Sequence, residues 1–443
     1  MLVNTHKQAK ILIMLIAWSG QSVWSQSWSL KQCLDTAIAH NKPLEISRNG
    51  IEISEQKNKE AKAGFIPKIQ GNADYKYYID LPYQLMPLSV FGGPDGQFKE
   101  VQFGVQHNLN FNGQIAMPIF NPQLIGGIEG SRVGIDLSKL QYQKSEEQLL
   151  FDMHQLYYNA QALEYQVGYI DSSIANMKKL LTIVSSLQAQ QMAKRSDVGK
   201  IELQISQLNT QKEIVSNRYE QVISAMLFTM GIEMSREIKV EKLGSVFESG
   251  DYSRHETTEI QIAKILEKRL QTELKALKLS YLPSLSMYAT YGAMGLGYDK
   301  APNEFINFYP MGFAGVQFSY PLFDGTITLR KIKQKKTEIK NSKLQTELSI
   351  EQNEMLTGNA IRQRKQAYQT VENAKKQIQL ATTLYDQVLL QHRQGLASLN
   401  DVLMSDNSLR EAEQTYVNAV IEYLKSDIEL KRLTGNKLYN QNK

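Results

Sequence analysis

The residues best suited to chemistry are the histidines, the single cysteine and several pairs of carboxylates, and none of them forms a recognisable catalytic pattern. The six histidines never fall at the spacing of metal ligands: His6, His40, His107, His154, His255 and His392. The sequence has no glycine-rich phosphate loop and no nucleophile elbow. Cys33 alone can form neither an intramolecular disulfide nor a thiolate metal cluster. We therefore expect no catalytic residue, no metal, no cofactor and no enzymatic activity.

Two pairs of carboxylates lie close together in the sequence, Asp197 with Glu202 and Asp401 with Asp406. Paired carboxylates can serve as general acid and general base. On long solvated helices, however, such pairs are far more often surface charge. The formal net charge is +5, and it is +3 without the two lysines of the first ten residues. A charge this small and this evenly spread gives no basis for a nucleic-acid partner.

The N-terminus has the features of a secretory signal peptide. Two lysines precede an apolar run at 11–18, and Val23-Trp24-Ser25 resembles a cleavage site. That run is shorter than the ~20 apolar residues of a spanning helix, and no later segment is long and apolar enough. We predict a signal peptide over 1–25 and membrane insertion through β-strands. Because no small residues precede Cys33, we expect it to be buried and not acylated.

Two long stretches of the chain lack proline and show the spacing of packed helices. All eleven prolines lie at 43–122 or 283–321, and because proline breaks helix interiors, the rest can form long helices. Apolar residues there alternate spacings of three and four, as in heptad packing. The first seam is Met153, Leu156, Ala160, Leu163, Val167, Ile170, Ile174, Met177, Leu181 and Val184, and the second is Ala367, Val371, Ala374, Ile378, Ala381, Tyr385 and Val388. A helix over about 130–192 would be roughly 95 Å long.

Between these stretches the apolar period changes to two, which predicts four strands at 69–79, 101–117, 285–291 and 316–322. One face of each strand is apolar. The other face is rich in Asn, Gln and Ser and carries little charge, as the lumen of a water-filled barrel would. We expect long loops at 80–100 and 293–310, where glycine and proline are frequent.

The chain is an internal repeat. Asp197, Tyr219 and Gly231 recur 204 residues later as Asp401, Tyr423 and Gly435. Prolines recur at the strands: Pro67 and Pro283 precede a strand in each half, and Pro118 and Pro321 lie where a strand gives way to a long helix. We divide the chain into a signal peptide (1–25), a first repeat (26–235), a linker (236–255), a second repeat (256–436) and a tail (437–443).

These residues resemble the outer-membrane efflux protein family, whose best-known member is TolC. The markers are the helix start at Trp28-Ser29-Leu30, the four strand prolines, and above all the stretch 394–403, which is similar to the second hairpin tip of the family. The fold implied is mixed α and β with an internal two-fold repeat. Three chains would each give four strands to a twelve-stranded outer-membrane β-barrel, and their coiled-coil hairpins would form a periplasmic α-barrel.

The resemblance also implies partners, a location and a gate. We expect a homotrimer in the outer membrane of a Gram-negative bacterium, in contact with outer-membrane lipid, a periplasmic adaptor protein and an inner-membrane transporter. The helical part would lie in the periplasm and close at its tip. Carried over by position, the tip and gate residues are Ser196, Asp197, His392, Gly395 and Asp401.

Two departures from the family concern this gate. Met404 stands where the best-known member has a second aspartate, and His392 and Ala397 stand where it has a tyrosine and an arginine. We hypothesise that a contact between His392 and Asp197 replaces part of the lock and weakens when His392 loses its proton. Asp197 and Asp401 are equally suited to cap their helices.

Other functions are compatible with parts of this pattern. The favoured function is the export of small molecules (drugs, toxic compounds or metals) by a tripartite efflux system. A type I secretion outlet for polypeptides would have the same fold, and nothing in the sequence separates the two. A non-conducting coiled-coil protein of the envelope would lack the two-faced strands.

Overall fold

The computed structural model describes residues 27–242, 252–301 and 304–439. The predicted signal peptide lies outside these residues, as do parts of the predicted linker and tail. Helices make up 66% of the structure, and the strands are few and short by comparison. No helix among the described residues combines the length and the apolar character needed to cross a membrane.

The elements follow one another in a similar order twice, and among the described residues the first half has one helix and two short strands more than the second. In chain order they are β1 (Ser27–Trp28), α1 (Leu30–His40), α2 (Lys42–Ala63), β2 (Lys68–Tyr77), β3 (Tyr83–Pro87), β4 (Phe98–Gln102), β5 (His107–Phe120), α3 (Pro122–Ala189), α4 (Arg195–Met230), β6 (Lys239–Val240), α5 (Thr258–Leu279), β7 (Ser284–Tyr298), β8 (Phe305–Ser319), α6 (Ile327–Arg393) and α7 (Leu399–Leu433). The long helices have 68 and 67 residues, and the returning helices have 36 and 35. The predicted repeat is confirmed by these matched lengths.

The first long helix, α3, begins earlier than its apolar pattern predicted. It starts at Pro122, eight residues before the expected position, because Asn121 caps it. The Asn121 side-chain oxygen accepts from the backbone N–H of Gln123 at 2.9 Å and of Leu124 at 3.2 Å. Proline suits the first helical position, since its missing N–H would have no partner there.

The predicted heptad seams form the core between the long helices. One buried cluster contains residues of four helices: Ile174 of α3, Ile201 of α4, Tyr385 of α6 and Val402 of α7. Met153, Ala160, Met177 and Val371, all predicted seam residues, are almost completely buried. Burial of such side chains contributes about 1.5–3 kcal/mol each for the larger ones. The core sits where the spacing of three and four placed it.

The chain divides into two compact units. Of the described residues, 27–49, 140–242, 252–262 and 347–439 form what we call the helical unit, and 50–139, 263–301 and 304–346 form the sheet unit. Each unit contains segments of both repeats. The helical unit holds the buried clusters around Met153, Ile174 and Val371.

The sheet unit contains an antiparallel sheet in the order β2-β5-β7-β8. The sequence identified all four strands but misjudged their ends. Strands β7 and β8 continue through most of the segment expected to be a loop, which shortens that loop to 299–304. The predicted strand from Val101 is divided between β4 and β5, because β4 pairs with β3 in a separate hairpin. Tyr320 and Leu322 lie beyond the end of β8.

Both returning helices end on a glycine that packs against a backbone carbonyl. Gly231 and Gly435 have φ of 70° and 69°, a left-handed conformation that glycine adopts without strain. A Cβ atom would lie 2.2 Å from the His40 carbonyl oxygen at Gly231, and 2.8 Å from the His255 carbonyl oxygen at Gly435. Glycine recurs at these two positions, 204 residues apart, because in both halves a side chain would collide with a neighbouring backbone carbonyl.

Candidate functional site

The four-stranded sheet has an apolar face formed by alternate residues of all four strands. The register aligns Ile115 with Ala289 and Ala314, and aligns Met117 with Met287 and Val316. These rows are open rather than packed: Val316 is 65% exposed and Tyr291, on the same face, is 75% exposed. An apolar sheet face of this kind has to be covered by something outside the chain.

The opposite face is polar on only half of the sheet. Asn72 of β2 lies opposite Asn112 of β5, with the two amide groups 3.2 Å apart in a hydrogen bond. Gln70 and Gln114 form the neighbouring row. On β7 and β8 the same face presents Ser286, Gln317 and Ser319, and then Tyr288, Thr290, Met294, Tyr309, Met311 and Phe313. The predicted polar face therefore holds for the strands of the first half and for Gln317 and Ser319, and it does not extend along the rest of β7 and β8.

The sheet has two edges that pair with no other described strand. In the order β2-β5-β7-β8, strands β2 and β8 each have one neighbour. Every residue of β2 is exposed, and so is nearly every residue of β8. Unpaired N–H and C=O groups along such edges are templates for pairing with another chain.

The strand prolines lie at the ends of these strands. Pro67 and Pro283 directly precede β2 and β7. Pro118 lies within β5, opposite Ser286, where the pairing of β5 with β7 shifts register. Pro321 follows the end of β8 by two residues. Because proline cannot donate a backbone hydrogen bond, each of them suits a place where pairing begins, shifts or ends.

The turns between α3 and α4 and between α6 and α7 have the same backbone geometry. The Gln191 N–H donates to the Gln188 carbonyl at 2.9 Å, and the Gly395 N–H donates to the His392 carbonyl at 3.0 Å. Gln191 and Gly395 both have positive φ, 61° and 74°. They are separated by the repeat distance of 204 residues, which extends the repeat into the turns. We call these turns, 190–194 and 394–398, the tip.

The two aspartates predicted for the gate, Asp197 and Asp401, both lie at the third position of a returning helix. The Asp197 carboxylate accepts from the Lys194 N–H at 3.3 Å and pairs with Lys200 at 3.9 Å. The Asp401 carboxylate accepts from the Ser398 N–H at 2.8 Å, and the Ser398 hydroxyl caps the Asp401 N–H. Hydrogen bonds from the Ser398 side chain and backbone, with nearby His392, lower the pKa of Asp401. Ser398 is the N-cap of α7.

The remaining predicted tip residues are placed as follows. Ser196 is exposed at the second position of α4. The Nδ1 atom of His392 lies 2.9 Å from the Ala397 carbonyl oxygen. Within the described single chain no hydrogen bond or ion pair joins His392 to Asp197. Their role in a gate remains a prediction.

Large apolar side chains project from both turns of the tip. Met192 is 73% exposed and Leu396 is 76% exposed. These two residues are also separated by 204 positions, so each hairpin presents one apolar side chain at the same place. Met404, on the first turns of α7, is exposed as well.

Two acidic residues of α7, the buried Asp406 and the half-buried Glu413, were not predicted from the sequence. Asp406, which we expected to be surface charge, is 1% exposed and pairs with Arg410 at 3.1 Å. Burial raises the pKa of Asp406. Burial, reinforced by the Asp406 carboxylate, raises the pKa of Glu413 to about 7. Both acids continue the spacing of three and four from Leu399, which was the signal that could have located them.

A half-buried ion pair lies nearer the C-terminal end of the same helix. The Asp427 carboxylate is 2.6 Å from Nε of Arg364 and accepts from the Tyr252 hydroxyl at 2.7 Å. The Arg364 guanidinium also lies over the Tyr252 ring, 5.6 Å from its centroid. This group ties α7 to α6 and to the segment before α5.

Comparison with known proteins agrees with this architecture. Residues 254–436 match the family model described as "Outer membrane efflux protein". The chain is similar in fold to the outer-membrane channel OprN (12% identity, 92% of this chain and 90% of that one, TM-score 0.72). It is also similar to the outer membrane protein VceC from Vibrio cholerae (12% identity, 93% and 97%, TM-score 0.72). The open-state MtrE channel of Neisseria gonorrhoeae is a third match (16% identity, 92% and 89%, TM-score 0.70).

The resemblance drawn from the sequence is confirmed by the family match, and the fold class is confirmed by the three structures. A search of curated protein sequences finds no significant match. The match over residues 254–436 and the shared fold support a role as an efflux channel and a location in the outer membrane.

Proposed function

We propose that three copies of this chain form a water-filled outer-membrane channel that exports small molecules as the outlet of a tripartite efflux system. The observation that carries this proposal is the four-stranded sheet, which has an exposed apolar face and two edges that pair with no other described strand. Four strands cannot close a barrel, and an open edge is not tolerated in lipid. Pooling β2 of one copy with β8 of the next satisfies both edges and yields twelve strands.

In this arrangement the apolar face contacts lipid and the opposite face lines the water path. The Asn and Gln rows of β2 and β5 provide hydrogen-bonding groups for water with little fixed charge, as a wide, weakly selective outlet needs. The tyrosines, methionines and phenylalanines of β7 and β8 give the same path apolar patches. A mixed lining of this kind suits amphiphilic small molecules.

The helical hairpins would extend the path through the periplasm to the tip. There, Met192 and Leu396 offer one exposed apolar side chain per hairpin, or six around a trimer. Exposed apolar side chains at matched positions are suited to docking a partner protein. We assign this ring to the periplasmic adaptor protein, which would connect the channel to an inner-membrane transporter.

A pair of neighbouring substitutions on β5 tests the sheet. Ile115→Lys places a charge on the apolar face, and Gln114→Lys places the same charge on the polar face. A charge on a lipid-facing strand residue costs about 2–4 kcal/mol, so Ile115→Lys should reduce the amount of trimer in the outer membrane severalfold. Gln114→Lys should assemble normally and shift the ion selectivity of the channel toward anions.

The measurements are the molar mass of the detergent-solubilised protein and its conductance in planar bilayers. A monomer that conducts no current, or two variants that assemble equally well, would refute the proposed channel. A strain lacking the protein should become more susceptible to dyes, drugs or metals. Loss of a secreted polypeptide without any change in susceptibility would instead favour the type I secretion outlet.

The gate is tested by separating the charge of Asp401 from its capping role. Asp401→Asn keeps an oxygen for the Ser398 N–H and removes the charge, whereas Ser398→Ala removes the cap and keeps the charge. If Asp401 lines a narrow ring, Asp401→Asn should raise conductance and weaken block by divalent cations. Ser398→Ala should leave both unchanged and destabilise α7 by about 1 kcal/mol. Unchanged currents in Asp401→Asn would leave Asp401 as a cap only.

A further inference from the structure

The helices of the sheet unit differ strongly in charge between the two halves of the chain. In the second half, 263–279 of α5 and 327–346 of α6 contain twelve Lys or Arg and three Glu, a net charge of +9. In the first half, 50–63 of α2 and 122–139 of α3 contain five basic and five acidic residues, a net charge of zero. Because the halves repeat the same elements, fold alone does not account for this excess.

The basic residues of α6 form one exposed stripe. Arg330, Lys333, Lys336 and Lys340 follow each other at spacings of three and four, and all four are exposed. Ile332 and Thr346 are buried on another face of the same helix. Of the seven basic residues at 327–346, the described part of the chain provides an ion-pair partner only for Lys335, which contacts Glu273 and Glu338. The stripe is therefore a cationic surface without internal neutralisation.

The stripe begins next to the sheet, and an apolar segment joins the two. Helix α6 starts eight residues after β8 ends. In the connection, Leu322 and Phe323 are 86% and 84% exposed. At 1.5 Å per residue, Arg330, Lys333 and Lys336 lie within ~15 Å of the start of the helix. This distance along the helix is comparable with the Debye length of ~8–10 Å, over which surface charges attract or repel each other at physiological salt.

Another copy of the chain does not offer the missing counter-charge. In the register of the proposed trimer, the neighbouring helix would be α2, whose membrane-side segment 50–63 is neutral. The one acidic residue of the connection 320–326, Asp324, accepts from the Thr328 N–H at 2.8 Å and so caps α6. A basic stripe preceded by exposed apolar residues is the combination that holds a protein segment on an anionic membrane surface.

We propose that the N-terminal part of α6, with its stripe Arg330, Lys333, Lys336 and Lys340, binds the headgroups of anionic phospholipids at the membrane surface where β8 leaves the bilayer. Leu322 and Phe323 reach the acyl boundary beside them. The proposal rests on the proposed function, because it requires the sheet to lie in the membrane. Each chain would then have one lipid-binding surface, in its second half, and the trimer would have three.

The test uses the full trimer and a matched pair of variants. In one variant, Arg330, Lys333, Lys336 and Lys340 are changed to Gln. In the control, the same charges are removed from exposed positions farther along the same helix: Arg362, Lys365, Lys375 and Lys376. Delipidated protein is incubated with equal amounts of phosphatidylglycerol and phosphatidylethanolamine, and bound lipid is counted by native mass spectrometry. Conductance in planar bilayers is recorded for each protein.

Wild type and control should retain phosphatidylglycerol preferentially, and the stripe variant should lose about tenfold or more of that preference. Raising the salt concentration should reduce the preference of the wild type. An undiminished preference in the stripe variant overturns the proposal. So does a change in ion selectivity with unchanged lipid binding, which would place the stripe in the water path. Absence of channel activity in all three proteins is the separate failure of the proposed function.

Discussion

The α3–α4 hairpin and the α6–α7 hairpin have nearly equal lengths and the same turn geometry, but their returning helices differ in what they bury. Helix α4 buries apolar residues such as Ile201, Leu208 and Ile223. At the positions 204 residues later, α7 has Asp427 in place of Ile223. It also buries Asp406, whose counterpart Glu202 is exposed.

The difference accompanies a larger buried surface on α7, which has thirteen buried residues where α4 has seven. Helix α7 contacts α3 through Gln414 and Gln166, and α6 through Glu422 and Gln363. It contacts α4 through Asn400, which accepts from Lys200 at 3.1 Å. Because α7 buries more of its circumference, polar positions that are harmless on α4 become costly on α7 unless they are paired. A duplicated pattern can therefore lead to different chemistry.

The largest expected effect comes from the half-buried ion pair near the C-terminal end of α7. Asp427→Ala leaves the half-buried Arg364 guanidinium without its carboxylate and should destabilise the helical unit by about 1–3 kcal/mol. Asp386→Ala removes an exposed carboxylate of α6 and should cost less than about 0.5 kcal/mol. The midpoint of thermal unfolding, followed by circular dichroism, measures both.

A double variant sharpens the same point. Because the first half has apolar Ile223 where the second has Asp427, replacing the pair by Arg364→Met with Asp427→Leu should restore most of the lost stability. Stability of the double variant no better than that of Asp427→Ala would mean that the charges are required for the packing of α7, and that the two hairpins are not interchangeable.

A pH-dependent effect of intermediate size is expected at Glu413. Its folded-state pKa of about 7 lies above the ordinary value of 4.5, so ionisation disfavours the folded state. The penalty is absent below pH 4.5, grows up to pH 7 and is complete above it. Discounted for partial solvent screening, it amounts to about 1–2 kcal/mol.

Glu413→Gln should therefore raise the unfolding midpoint at pH 8 and have little effect at pH 4.5. Glu411→Gln, at an exposed position of the same helix, should have no such pH dependence. A stabilisation by Glu413→Gln that is equal at both pH values would contradict the assignment of the buried charge.

The smallest effect tests the turns, where the two hairpins have the same backbone and different residues. Gln191 carries a side chain in the left-handed conformation that Gly395 adopts freely. Gln191→Gly should stabilise the first turn by about 0.5–1 kcal/mol, and Gly395→Ala should destabilise the second by about 1 kcal/mol. Both are read from the unfolding midpoint, and the same sign for the two changes would show that the turns are not equivalent.

Much of the architecture follows from the sequence for identifiable reasons. Proline restricts the backbone locally, so its absence from 123–282 and 322–443 is enough to predict the long helices. Alternating spacings of three and four predict that Met153, Met177 and Val371 lie in the core, because that period keeps them on one face of a helix. The repeat distance of 204 residues relates the caps at Asp197 and Asp401. The tip and gate residues, by contrast, stay predictions, because their roles depend on contacts between copies.

Sequence alone determined the periodicity and therefore the type of the long helices and of the four strands of the sheet, since apolar spacing is a property of one helix or one strand. Only the tertiary structure decided which of two equivalent positions is buried, because burial depends on how many neighbours an element acquires. Glu202 and Asp406 occupy the same place in the repeat, and one is exposed while the other is buried. In the same way, only the strand register showed that the polar face of β2 and β5 is continued by aromatic side chains of β7 and β8. The sequence of one strand does not specify which strand pairs with it or in which register.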